Sequence, residues 1–273
     1  MLRYAVIGRP IAHSRSPDIH RAFAEQTGKA LHYDRIEGSA EHFEQDVRRF
    51  FATGGSGLNV TLPFKERARA MADRVSVRAK VAGAANTLGM QGHDLWADNT
   101  DGIGLVRDLM DNLGRVLVGA RVLMLGAGGA ARGVVQPLAQ AGVAALHIAN
   151  RTEARARHLV EDLVGACPGM SLQHHAWQAL DWLAPFDVVI NATSTAVGGE
   201  LPKLPTGLFA SDGLAYDMGY GSEPTPFLRV AAEIGAVRLA DGLGMLVEQA
   251  AAAFELWHDV RPDTKPVIDT LRA

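Results

Sequence analysis

Two clusters of residues in this 273-residue chain have the types and spacing to do chemistry. The first is Gly126-Ala-Gly-Gly-Ala-Ala-Arg132, which follows the apolar run Val122-Leu-Met-Leu125 at once and precedes an amphipathic stretch predicted to be helical over 133–141. In that setting Gly126, Gly128 and Ala131 fill three small positions. One makes a tight turn, one admits a pyrophosphate close to the backbone, and one lets the helix pack closely on its strand. The backbone N–H groups of Gly126, Ala127, Gly128, Gly129 and Ala130 then point towards phosphates at the helix start. Glycines alone would make only a flexible loop, but here strand, turn, helix and a further strand at 145–149 stand in order, as in a dinucleotide-binding unit.

The end of that further strand selects the nucleotide. An NAD site carries an acidic residue there for the ribose hydroxyls, whereas an extra phosphate needs that acid absent and cations present. The chain reads Asn150-Arg151-Thr152-Glu153-Ala154-Arg155. Arg151 can stack on adenine and fork onto a phosphate, with Thr152 and Arg155 beside it in the following helical turn. NADP is therefore expected over NAD. Taken alone, Arg155 is equally well a solvated helix charge.

The second cluster lies nearer the N-terminus. Ser14-Arg15-Ser16-Pro17 precedes an amphipathic stretch at 18–26 with Gly28 beyond it, so Ser16 is predicted as the N-cap, Pro17 as the first helical residue and Gly28 as the stop. Two hydroxyls at such an end could hold a carboxylate, although a cap is all that this motif requires by itself. Gly57-Leu-Asn-Val-Thr-Leu62 alternates as a strand that puts Asn59 and Thr61 on one face, close to the carboxyl end where open α/β sheets bind their ligands. Lys65 follows within reach of that crevice, and Asn86 and Asp101 lie at turns after similar segments. Each has a plain alternative: a lone Lys is usually a surface charge, and Asp101 could simply cap the helix predicted at 103–113.

These residues need a scaffold, and the pattern of short apolar runs alternating with amphipathic segments gives an α/β fold. Strands are predicted at 4–7, 31–36, 57–62, 87–90 and 95–98, then from 121 and at 145–149, 188–191, 215–217 and 237–239. The domain plan is a substrate-binding domain at 1–102, a Rossmann-type NADP domain at 103–240, and C-terminal helices at 241–273 that return to the first domain. In the last segment Leu246, Val247, Ala250, Phe254 and Trp257 form one apolar stripe of a packed helix.

Composition narrows the partners. A formal charge of −3 provides no basic stripe for nucleic acid or an acidic membrane surface. With no apolar run of about 18 residues and no signal-peptide core, a cytoplasmic location is expected, with a small molecule as partner. The lone Cys167 has no second thiol for a disulfide or metal pair, and no metal is expected.

Ser14-x-Ser16-Pro17, Asn59-Val-Thr-Leu-Pro-Phe-Lys65, Gly83-Ala-Ala-Asn86-Thr, Asp98-Asn-Thr-Asp101-Gly, the Gly126 turn, Asn150-Arg151-Thr152, Asn191-Ala-Thr-Ser194, Tyr216-Asp-Met218 and Asp241-Gly-Leu-Gly-Met245 together resemble the shikimate dehydrogenase family. The motifs fall in the family's order and span almost the whole chain. The resemblance implies NADPH-dependent reduction of 3-dehydroshikimate to shikimate in aromatic amino-acid biosynthesis. It implies that Ser14 and Ser16 bind the substrate carboxylate with Tyr220 nearby, and that Asn59, Thr61, Asn86, Asp101 and Gln249 contact the ring hydroxyls. Lys65 and Asp101 would be the catalytic pair. Thr193, Met218, Gly242 and Met245 would join the glycine turn and 150–155 around NADP. Where some members carry an acidic residue after the lysine, this chain has Val77.

Rival readings are a quinate/shikimate dehydrogenase of broader specificity, a non-catalytic NADP sensor on the same scaffold, and a generic reductase for another polar acid. Retention of both Lys65 and Asp101 argues against the sensor. The resemblance is compatible with a monomer or a homodimer.

Overall fold

In the computed structural model, which describes residues 1–183, 185–193 and 201–273, the chain divides into two compact units. One comprises residues 1–104 and 246–273, the other 105–245. Ser194 lies outside the described residues.

The first unit starts with β1 (Leu2–Gly8), α1 (Ser16–Thr27), β2 (Leu31–Glu37), α2 (Phe43–Ala52) and β3 (Gly55–Val60). It continues through α3 (Lys65–Ala70), β4 (Arg74–Val75), α4 (Val77–Ala82), β5 (Thr87–Gln91) and β6 (Asp94–Asp98) to α5 (Asp101–Arg107). The sheet runs β2-β1-β3-β5-β6-β4. β1 is parallel to both β2 and β3, whereas β5 is antiparallel to β3 and β6, so the sheet is mixed. Phe43, Val47 and Phe64 pack with Ile7, Leu58 and Leu88 as its core.

The second unit is wound around β7 (Arg121–Leu125), α6 (Gly129–Gln140), β8 (Ala145–Asn150), α7 (Glu153–Leu163), β9 (Ser171–Ala176), β10 (Phe186–Asn191), β11 (Phe209–Asp217), α8 (Pro226–Glu233) and β12 (Arg238–Ala240). Its six parallel strands lie in the order β12-β11-β10-β7-β8-β9. This is the doubly wound Rossmann order, with the direction of winding reversing between β7 and β10. The chain ends in α9 (Leu243–His258) and α10 (Lys265–Arg272). Val247, Ala250, Ala251 and Phe254 of α9 pack on Ile19 and Phe23 of α1 and on Val267 and Ile268 of α10.

The structure departs from the sequence reading at several boundaries. Ser16 is the first residue of α1 and not its cap, because the Arg15 carbonyl already accepts from the N–H groups of Asp18 and Ile19. β3 stops at Val60, so Thr61 lies past the strand, with its N–H still donating to Ile7 at 2.9 Å. α6 starts at Gly129, four residues before the predicted start, despite a helix-interior penalty for glycine of roughly 1 kcal/mol. β4 and β9 were not foreseen. Their sequences, Arg-Val and Ser-Leu-Gln-His-His-Ala, carry too little apolar alternation to announce a strand.

Cys167 is buried, which pushes its thiol up. Among the described residues no helix is long and apolar enough to cross a membrane, and no group of His, Cys, Asp or Glu side chains could hold a metal ion.

Candidate active site

In the first unit the ends of β3, β5 and β6 bring polar side chains together. Lys65, the first residue of α3, donates from Nζ to Asp101 Oδ2 at 2.6 Å. The two side chains are 25% and 16% exposed, so the pair is sheltered yet still reachable by a ligand. Asp101 opens α5 without having to cap it, because Asn99 Oδ1 accepts from the Asp101 N–H at 3.0 Å. That leaves the Asp101 carboxylate for Lys65 and for Asn86, whose Nδ2 donates to Oδ1 at 2.8 Å.

Asn86 is the hub of the cluster. Its Nδ2 also lies 2.9 Å from Thr100 Oγ1 and 3.1 Å from Gln249 Oε1, while its Oδ1 accepts from the Thr100 N–H and the Thr87 hydroxyl. Gln249 on α9 is steadied in turn by donation from Nε2 to the Leu246 carbonyl at 2.8 Å. Asn59 uses its amide inside the protein. Its Oδ1 accepts from the Tyr33 hydroxyl at 2.6 Å, and its Nδ2 faces the Asn86 carbonyl and Thr87 Oγ1.

Ser14 and Ser16 meet at α1. The Ser14 hydroxyl donates to Ser16 Oγ at 3.2 Å, and Arg35 donates from Nε to the Ser14 carbonyl at 2.9 Å. Tyr33, the donor to Asn59, is a buried phenol, and burial raises its pKa well above the usual tyrosine range. Thr61 stands between these groups and Lys65 in sequence, half-buried in the turn after β3.

The second unit holds the remaining candidates. A cavity of about 330 Å³ opens at the glycine turn, lined by Gly126 to Ala130, Asn150, Arg151, Thr152, Arg155, Trp177 and Thr193. Gly126 has φ +103°, and a Cβ there would come within 3.0 Å of the Ala192 carbonyl oxygen, so only glycine makes this turn unstrained. Asn150 Nδ2 donates to the Thr152 carbonyl at 2.8 Å and shapes the turn that carries Arg151. Thr193 is held by Asn191, whose Oδ1 accepts from the threonine hydroxyl at 2.6 Å.

Met218 and Gly242 lie on two adjoining turns, and Met245 follows in the first turn of α9. Buried Asp217 accepts from the Gly219 N–H, Asn191 Nδ2 and the Thr225 hydroxyl, which fixes the Met218 turn. A Cβ on Gly242 would lie 2.3 Å from the Met218 carbonyl oxygen, so the two turns touch backbone to backbone. Tyr220 follows Met218 and is 41% exposed. Three supports had no local signal in the sequence: Tyr33, Arg78, whose guanidinium pairs with Asp98, and Asp108, which accepts from the Tyr216 hydroxyl at 2.6 Å.

A six-stranded parallel sheet with a glycine turn at its switch point, joined in one chain to a mixed-sheet unit bearing a lysine–carboxylate pair, defines a dinucleotide-binding α/β protein of the Rossmann class. Residues 6–88 match the shikimate dehydrogenase substrate binding domain, residues 108–197 the shikimate / quinate 5-dehydrogenase model, and residues 242–272 the shikimate 5'-dehydrogenase C-terminal domain. A shikimate dehydrogenase (NADP(+)) of Cupriavidus taiwanensis is 54% identical over 276 residues, covering 99% of this chain and 93% of that protein. An Ael1 enzyme from Pseudomonas putida is 50% identical with a TM-score of 0.93, covering 100% of this chain and 99% of that one. The shikimate 5-dehydrogenase of Thermus thermophilus, solved in complex with NADP(H) and shikimate, is 34% identical with a TM-score of 0.85 over 100% of this chain and 99% of its own. The chain belongs to the shikimate dehydrogenase family.

Proposed function

We propose that the protein catalyses the reversible, NADPH-dependent reduction of 3-dehydroshikimate to shikimate. The observation that carries the reading is the 2.6 Å contact between Lys65 and Asp101 inside a cluster of hydroxyl- and amide-bearing side chains, in a chain of this family.

The residues of the glycine turn fit the cofactor. Its turn is open only to glycine at Gly126, its helix starts immediately after Gly128, and Arg151, Thr152 and Arg155 line the same cavity. Gly126 to Ala130 would hold the pyrophosphate, and Asn150 to Arg155 the adenosine with its 2'-phosphate, Arg151 being suited to a bidentate contact. Thr193, Met218, Gly242 and Met245 would complete the binding surface of this unit. When bound, NADPH supplies the hydride.

The rest belongs to the chain. Ser14 and Ser16 receive the substrate carboxylate, and Asn59, Thr61, Asn86, Asp101 and Gln249 orient the ring through its hydroxyls, with Tyr220 assigned to the carboxylate by family pattern. Reduction of a ketone builds negative charge on its oxygen, and Lys65, as an ammonium, stabilises that charge and delivers the proton that completes the alcohol. Asp101 accepts from Nζ and aims it. In the reverse direction Lys65 takes the alcohol proton back.

Oxidation assays test the substrate. Pure protein given NADP+ should oxidise shikimate with a far higher kcat/KM than quinate. Equal kcat/KM for the two would replace this reading with that of a quinate/shikimate dehydrogenase, and turnover of neither would remove it.

A further inference from the structure

The cavity at the glycine turn has one wall that none of the sequence motifs supplies. β8 and β9 are parallel, and Asn150 pairs with Ala176 at their carboxyl ends. The next residues, Arg151 and Trp177, therefore leave the sheet side by side, and both line the cavity. Trp177 is half-buried and packs against the core cluster that contains Leu125, Ala149 and Leu180. Its indole Nε1 is buried, so the surface it turns to the cavity is carbon. A flat apolar face beside a guanidinium, at the mouth of a phosphate-binding turn, matches a purine base: every base has a π-face, and stacking on an aromatic ring does not depend on hydrogen-bond pattern.

We infer that Trp177 is the aromatic wall of the adenine subsite and works with Arg151 to hold the base. The inference rests on NADP occupying this cavity. Arg151 then has two roles, stacking and reading the 2'-phosphate, whereas Trp177 has one. Loss of Trp177 weakens every adenine-containing ligand in the same proportion, and loss of Arg151 changes the ratio between phosphorylated and unphosphorylated ones. The ring's anchorage in the core also makes the wall rigid before the ligand arrives, which lowers the ordering cost of binding.

The test compares wild type, Trp177→Leu and Trp177→Phe by calorimetric titration with adenosine 2',5'-bisphosphate, NADP+ and NAD+. Trp177→Leu keeps apolar bulk on the core but removes the ring, and should lose roughly ten- to hundredfold in affinity for all three ligands, with the NADP+ to NAD+ ratio unchanged. Trp177→Phe keeps a ring and should stay within a fewfold of wild type. KM for shikimate should not move in either variant, which separates loss of the wall from general damage to the fold. Unaltered affinity in Trp177→Leu, or a change confined to NADP+, would overturn the inference. Failure of wild type to bind adenosine 2',5'-bisphosphate would overturn the NADP reading itself.

Discussion

The Tyr33 hydroxyl donates to Asn59 Oδ1 at 2.6 Å, so a buried phenol ties down the amide proposed to meet the ring hydroxyls. Tyr33→Phe removes that tie and leaves the packing of the ring against His20, 4.3 Å away, in place. A buried hydrogen bond contributes about 1 kcal/mol, so KM for shikimate should rise about fivefold while KM for NADP+ stays put. Steady-state kinetics with each substrate varied in turn checks this, and unchanged constants for both would leave Tyr33 a packing residue.

Arg151 should govern cofactor choice. Arg151→Asp takes away a charge-assisted contact to the 2'-phosphate, typically about 1.5–3 kcal/mol, so kcat/KM for NADPH should fall at least about tenfold. The same constant for NADH should fall less, by the stacking contribution alone. Parallel losses with both cofactors would mean that Arg151 does not read the phosphate.

Burial makes His20 a source of acid lability. It is 1% exposed among Tyr33, Phe254 and Trp257, and desolvation, with His258 adding to it, pushes its pKa from 6.5 down to about 3. The folded state thus refuses a proton that the unfolded state accepts. Stability is complete above about pH 6.5 and falls as pH drops towards about 3. His147, lowered to about 4 by burial beside His175, steepens the fall. His20→Phe should cut the stability lost between about pH 7.5 and about pH 5 by about 2 kcal/mol, read from urea unfolding at the two values. The same loss in variant and wild type would place the acid sensitivity elsewhere.

Gly244 tests the packing beneath the cofactor turns. A Cβ there would meet Asp108 Oδ1 at 1.9 Å, and Asp108 already accepts from the buried Tyr216 hydroxyl and from Asn112 Nδ2. Gly244→Ala should therefore destabilise by about 1–3 kcal/mol, a fall in Tm of several degrees in a thermal melt. An unchanged Tm would show that the carboxylate moves aside without cost.

What the sequence disclosed and what it hid divide along a physical line. The glycine turn was legible because Gly126 answers a local requirement of the backbone, and Arg151 because it stands a fixed distance after a strand. The α/β class, the strands of the second unit other than β9 and the stripe of α9 followed from periodicity. Tyr33, Arg78, Asp108 and Trp177 were not legible, because their partners Asn59, Asp98, Tyr216 and the cavity wall are set by sheet order and not by neighbouring residues. β9 was missed for a related reason: it is an edge strand whose half-polar sequence is stabilised by pairing with β8. Ser16 looked like a cap because residue type alone cannot show that the Arg15 carbonyl has already begun the helix.

The central claim is that Lys65 serves the carbonyl of 3-dehydroshikimate while NADPH is oxidised. Adding 3-dehydroshikimate to the pure protein with NADPH and following the loss of nicotinamide absorbance, with Lys65→Ala alongside, addresses it in one experiment. Wild type should oxidise NADPH rapidly and NADH poorly, and Lys65→Ala should retain cofactor binding while kcat falls about 10²–10⁴-fold. No oxidation by wild type, or near-normal turnover by Lys65→Ala, would contradict it.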